Sequence, residues 1–336
     1  MNFINIQNYF VNIISMTHVL IFLTVILCLT TIGGAAAYYY SNEQIDKNTF
    51  VRSNLILIGS ENPTLWLYYD QSEVNSRWWA DFGGRSSRVL NAPFLNLCYE
   101  SIVMNNGTTY NVKVLAGLSD VAVLLGGWKE LPTFLQNPIA PVGEAEINYI
   151  RSTILRRFGG LWVKPSTIFL QSLPDLSEQE NVVFFGTDKD ETYSDSKGTS
   201  VPGTDIMYSP YKDHPIFVVL EELSLKRIEH QEGGKQFRKD IKWDLYSVMN
   251  DFSDMISYYP EFEFARKSNG KRIQLEDLLS SNDIIISTNA LYVPLDWEEL
   301  QNRSNFSWFL RMSEEQILES NLFISILFKF NNIISR

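Results

Sequence analysis

A chain of 336 residues, 45% hydrophobic and 20% charged, has ample material for a real core and excludes wholesale disorder. Its net charge of -11 excludes a chain-wide pull toward nucleic acid, so no nucleic-acid partner is expected. Two cysteines, Cys28 and Cys98, exclude a disulfide scaffold and fit a reducing compartment, and the scattered His18, His214 and His230 offer no structural zinc site.

In chain order, the first 42 residues carry no Asp, Glu, Lys or Arg. After a tail (1–18), the run "VLIFLTVILCLTTIGGAAAYYY" (19–40) has the length of a membrane-crossing helix, about 20 residues. Tyr38, Tyr39 and Tyr40 would sit at headgroup level. Ala35-Ala36-Ala37 resembles a signal-peptide cleavage site, but the leader is long and lacks positive charge, which favours a retained signal anchor. Lys47 and Arg52 follow the run and put the C-terminal body in the cytosol. Sequons at Asn106, Asn302 and Asn305 point the other way if glycosylated. The expectation is a single-pass membrane protein with a polar tether (41–53) and one folded body (54–336).

Within the body, "NLILIGS" and "PTLWLYYD" read as buried strands, the second closed by Asp70. "APFLNLCYESIVMNN" reads as a helix and "TYNVKVLAG" as the next strand, and "LSDVAVLLGGW" and "ELPTFLQN" read as short helices. The clearest helix is "EAEINYIRSTILRRFGG": Ile147, Ile150, Ile154, Leu155 and Phe158 keep the three-and-four spacing of one buried face. Gly159 suits its end, and Arg156 and Arg157 complement its last turn. "LWVKPSTIFL" then reads as a strand in which Pro165 forbids one ladder bond. "NVVFFGTD" is another strand, "DKDETYSDSKGTSVPGTD" a polar loop long enough for a lid, and "DHPIFVVLEELSLKRIEH" a helix with Pro215 in its first turn. Alternating strands and helices predict an α/β domain with a largely parallel sheet. "DIIISTNALYVPL" and "EEQILESNLFISILFKF" complete it without a site, and the apolar last helix could lie against a membrane.

Four landmarks carry a resemblance. They are "PTLWLYYDQSE", "CYESIVMNNGTTYNVKVL", "INYIRSTILRRFGGLWVKPST" and "MYSPYKDHPIFVVLEEL". In this order they resemble the glycosyltransferases of the capsular-polysaccharide and DXD-sugar-binding type, which have the nucleotide-sugar-binding GT-A fold. The third is the specific one, similar to a Ser/Ala-Asp-x-x-Arg helix followed by Gly-Gly-Ile-Trp-x-Asp-x-Asp/Ser/Thr. The match spans about Pro63 to Glu222. It implies a GT-A-like domain with a mostly parallel central sheet, a nucleotide-sugar donor, and a glycan, lipid or protein acceptor.

Asn148 and Arg151 are three apart and project from one side of their helix. The resemblance implies that this side faces the nucleotide, with Arg151 on phosphate or ribose oxygens and Asn148 on a hydroxyl. Family carboxylates on the following strand hold Mn²⁺ or Mg²⁺. Here Lys164 and Ser166 occupy those positions, so no metal and no cofactor are expected at the degenerate motif. Lys164 could instead neutralise the diphosphate with a fixed ammonium, or the site has decayed. Both remain open.

Asp70 ends the first strand where a nucleotide would lie, or is a strand-end turn residue. Tyr68 or Trp66 could stack on a base, although strand aromatics more often belong to the core. Asp205 and Asp213 could serve as general base, Asp213 fitting better as a helix cap. His214 could contact phosphate or cap a helix. The expected site therefore comprises Lys164 and Asp205 as catalytic groups and Asp70, Asn148, Arg151, Ser166 and His214 as donor contacts. The alternative to a transferase is a catalytically inactive relative that binds a ligand or scaffolds a partner at a membrane.

Overall fold

The computed structural model describes residues 62–70, 93–136, 142–187, 201–229, 235–259, 265–282, 284–295, 299–300 and 303–334. All belong to the unit Ser53–Arg336. The expected tail, transmembrane helix and tether lie outside these residues, as do the strand "NLILIGS" and the acidic run Asp188–Glu191. No helix among the described residues is long and apolar enough to cross a membrane.

Among the described residues, eight strands and eight α-helices carry the fold. They are β1 (Thr64–Tyr69), α1 (Pro93–Asn106), β2 (Asn111–Ala116), α2 (Leu118–Leu125), α3 (Glu144–Phe158), β3 (Gly160–Val163), β4 (Thr167–Phe169), β5 (Val182–Thr187), β6 (Pro202–Ser209), α4 (Pro215–Glu229), α5 (Lys235–Asp251), β7 (Ile256–Tyr259), α6 (Leu275–Leu278), β8 (Tyr292–Pro294), α7 (Glu314–Glu319) and α8 (Phe323–Ile334). Where a helix was expected over "ELPTFLQN", the described residues 131–136 form turns.

Six strands form one sheet in the order β2-β1-β3-β6-β5-β7, and β4 and β8 form a second. In the large sheet β1 is parallel to both β2 and β3, and β5 is parallel to β7. β6 runs antiparallel to its neighbours β3 and β5. The expected α/β sheet is thus mostly parallel, with one reversed strand at its centre.

Both faces of this sheet are covered, as its apolar strands require. Trp66, Tyr68, Trp162, Phe184 and Met207 join one core with residues of α2, α3, α4 and α5, including Val121, Ile150, Ile154, Phe217 and Leu245. Leu65, Leu67, Leu161 and Val163 alternate to the other face and are fully buried. Trp66 donates its indole N–H to the Gly159 carbonyl at 2.9 Å, and Tyr68 stacks on Trp162. These two rings are core residues, not base platforms.

α3 packs against α4 and is tied to it by charge. The buried carboxylate of Glu221 accepts from Thr153 Oγ1 at 2.8 Å and from the Arg156 guanidinium. Arg156 therefore reaches across to α4 instead of merely facing its own helix end. Gly159 ends α3 with φ 67°, its N–H on the Leu155 carbonyl. Gly159 leads straight into β3, and the Arg151 bond to the Thr204 carbonyl sets this part of α3 beside the start of β6, near the Val163–Ile206 pair.

A second predicted element is also corrected. "LWVKPSTIFL" is two strands in two sheets, β3 and β4. Between them Lys164-Pro165-Ser166 forms a turn, closed by the Thr167 N–H on the Lys164 carbonyl at 3.2 Å. Pro165 occupies the turn position that its fixed φ suits. β4 then pairs with β8, not with the large sheet. Its Phe169 backbone is also held by α1, through Ser101 Oγ and the Asn105 amide.

Candidate functional site

β1, β2 and β3 are parallel, so their C-terminal ends lie on one edge of the sheet. This is the edge at which α/β sheets hold ligands. Asp70 leaves it just after Tyr69, and Lys164 just after Val163. β6 enters the same edge from the opposite direction, with Ile206 paired to Val163. That pairing brings Asp205 beside Lys164: the Lys164 N–H donates to the Asp205 carbonyl at 2.7 Å, and Lys164 Nζ lies 3.8 Å from Asp205 Oδ1. The expected polar loop ends earlier than read, because Pro202–Asp205 already belongs to β6.

α3 supplies the third wall. Arg151 is 3% exposed and Asn148 5%, an unusual depth for either residue type. Arg151 Nη1 donates to the Thr204 carbonyl at 2.8 Å. Burial pulls the guanidinium below its ordinary pKa, while the charges of Glu144 and Asp205 pull the other way. Three buried atoms here have no hydrogen-bond partner: Arg151 Nη2, Asn148 Nδ2 and Ser166 Oγ. Ser166 is 3% exposed. Buried polar groups are almost always satisfied, and each orphan costs about 1–3 kcal/mol. Two of these orphans lie on one face of α3 and the third in the turn after β3.

Five of the seven expected residues thus come from the segments that meet here: Lys164, Asp205, Asn148, Arg151 and Ser166. Asp70 shares the edge, three residues past Leu67, the partner of Val163, with the Tyr68 hydroxyl 3.5 Å from its Oδ1. Thr204 and Glu144 were missed. Thr204 acts through its carbonyl, which leaves no mark in a sequence. Among the described residues no three His, Cys, Asp or Glu side chains are grouped to hold a metal ion.

His214 is placed elsewhere. It follows β6 beyond Ser209, and Ser209 pairs with Gly160 at the far end of β3. Three residue steps of strand, about 10 Å, separate that end from Val163. His214 is 1% exposed, its ring 4.9 Å from that of Tyr211. Its Nδ1 accepts the Ile216 N–H at 3.3 Å, so His214, not Asp213, caps α4. Asp213 takes a left-handed φ of 53° and pairs with Arg156 Nε at 3.1 Å. It follows the far end of β6, away from Lys164, and so is not placed to act as general base on an acceptor hydroxyl there.

Capping makes His214 a pH-sensitive element. Burial lowers its pKa below the ordinary 6.5, and protonation of Nδ1 would remove the acceptor. The unfolded chain takes up the proton first as pH falls. Stability is therefore full above about pH 6.5 and declines below it, at up to about 1.4 kcal/mol per pH unit until the folded pKa is reached. His214→Asn, which caps without titrating, is expected to flatten the decline between pH 6.5 and 5 in urea titrations.

No protein-family model matches the chain. No curated protein matches it in sequence. A solved glycosyltransferase is similar to it in structure. That protein, the PaToxG glycosyltransferase, is 10% identical, with a TM-score of 0.35 over 58% of this chain and 72% of its own. So remote a likeness carries no weight for the chemistry, which rests on the site's own geometry.

Proposed function

We propose that the chain is a glycosyltransferase-like protein that binds a nucleotide-sugar donor at the Asn148, Arg151, Lys164 and Ser166 cluster and transfers its sugar without a carboxylate-held metal. The observation that carries this reading is the trio of orphaned buried atoms on Asn148, Arg151 and Ser166, the last of these in the turn that Lys164 opens. Two of the three are N–H donors, and the cations Arg151 and Lys164 stand among them with the carboxylate of Asp205 close by. Such a set suits a diphosphate oxygen, whose charge the guanidinium and ammonium would neutralise as the bond to the sugar breaks. A divalent metal fits poorly: Asp205 meets the Lys164 ammonium and lies in the field of Arg151. In this reading Asp70 borders the nucleoside, Asp205 orients Lys164, and residues 19–40 anchor the body to a membrane through one helix. The membrane side, the resemblance to capsular-polysaccharide enzymes and the choice of glycan, lipid or protein acceptor belong to the same proposal.

The Lys164–Asp205 pair also supports the second reading, an inactive relative that binds but does not transfer. Calorimetry with uridine- and guanosine-diphosphate sugars, followed by assay of sugar release, separates the two. Donor affinity is expected to fall at least ten-fold in Lys164→Ala and to be unchanged by EDTA. Binding without sugar release would select the inactive relative. The absence of any nucleotide binding would remove both donor readings.

A further inference from the structure

A cleft of about 390 Å³ opens where α6 meets the chain leaving β8. Its floor is apolar, from Leu275, Leu278 and Leu295, all nearly fully buried. Its mouth is polar. Arg303 Nη1 donates to Glu299 Oε1 at 2.7 Å, and Arg303 Nη2 to Glu276 Oε1. One guanidinium thus braces two carboxylates over an apolar floor. The same bond holds the Glu276 carboxyl below its ordinary pKa, so it stays an ionised acceptor.

We infer that this cleft binds a saccharide unit. A carboxylate can accept about four hydrogen bonds, so the bond to Arg303 does not exhaust the acceptor capacity of Glu276 for ligand hydroxyls. An anionic ligand would face both carboxylates, and a cationic one would face Arg303 and Arg272, which also lines the cleft. The complementary ligand is neutral, hydroxyl-rich and apolar on one face, which describes a pyranose ring. The volume is within the usual range for small-molecule sites, about 300–1,000 Å³.

The cleft adjoins the proposed donor site through the backbone. Leu295 donates its N–H to the Ser166 carbonyl at 3.0 Å, and Pro294 pairs with Thr167. The segment that floors the cleft is therefore hydrogen-bonded to the turn that carries Lys164. Resting on the transferase reading, the bound saccharide is the acceptor. One of its hydroxyl oxygens bonds to the donor's anomeric carbon as the bond from that carbon to the diphosphate breaks. The nucleoside diphosphate leaves with the electron pair, and the hydroxyl proton is lost to solvent.

The test is saturation-transfer NMR on the full chain with methyl β-glucopyranoside, methyl β-galactopyranoside, methyl α-mannopyranoside and N-acetylglucosamine. Uridine diphosphate is titrated separately. At least one sugar is expected to bind, and to bind at least ten-fold more weakly in E276Q/E299Q, with uridine diphosphate affinity unchanged. Gln274→Trp is the second variant, because Gln274 is exposed at the lip and a bulky ring there blocks entry without entering the core. Failure of all four sugars, or equal affinity in both variants, overturns the cleft assignment. Loss of uridine diphosphate binding alone removes the donor reading and leaves the saccharide cleft standing.

Discussion

Gly160→Ala is expected to leave little folded protein. Gly160 opens β3 with φ +92°, in the region that L side chains rarely adopt. A Cβ at this position would stand 2.3 Å from the Thr64 carbonyl oxygen and 3.2 Å from Trp66 Nε1. Thr64 opens β1, the parallel neighbour of β3, so the obstacle is backbone in the middle of the sheet. Relief requires the two strands to separate, which would also break the Trp66 bond to the Gly159 carbonyl. The combined cost is about 4 kcal/mol or more, a large share of the 5–15 kcal/mol that holds a typical domain. Gly159→Ala provides the comparison. Its φ is also positive, but its nearest obstacle is the Ser209 carbonyl at 3.3 Å, so it should cost only about 1–2 kcal/mol. Soluble yield and thermal melting by circular dichroism read both. Gly160→Ala melting within a few degrees of the parent would show that β1 and β3 are not packed as described.

This glycine lies in the stretch where the sequence was most legible, and its neighbours show where legibility stops. The spacing of Ile147, Ile150 and Ile154 specified α3, because helix periodicity is a local property. The same spacing placed Asn148 and Arg151 on one side. The break at Lys164-Pro165-Ser166 was not legible, since "TIFL" is as strand-like as "LWV" and only the pairing of β4 with β8 divides them. Tertiary pairing likewise drew Pro202–Asp205 out of a polar loop and into β6, which is what delivers Asp205 to Lys164. The sequence offers both Asp213 and His214 as the cap of α4, with Asp213 the better by propensity. Its pairing with Arg156 and its left-handed backbone hand that role to His214. The Thr204 carbonyl and the cleft under Arg303 depend on contacts between distant segments, and no local pattern encodes them.

Arg151→Met is expected to weaken donor binding by about 30-fold or more without harming the fold. Arg151 is a buried guanidinium with one bonded nitrogen, at the Thr204 carbonyl, and one orphan, Nη2. Its desolvation is offset only by the more distant charges of Glu144 and Asp205. A methionine of similar length removes the orphaned donor and fills the space with a flexible apolar chain. Against this gain stands the Thr204 carbonyl, which loses its partner, at a cost of about 1 kcal/mol. Replacing an incompletely paired buried charge by an apolar side chain is often neutral or stabilising, here by up to about 2 kcal/mol. Donor binding should move the other way. Losing a buried charge-assisted contact costs about 2–5 kcal/mol, a drop in affinity of about 30-fold or more. A purely structural arginine would lose stability first and binding only as a consequence. Calorimetric titration and thermal melting of the same sample therefore decide its role. A lower melting temperature with unchanged nucleotide affinity would make Arg151 part of the scaffold, whereas weak binding in an intact or more stable fold would show a residue kept against its own burial cost for the ligand it meets.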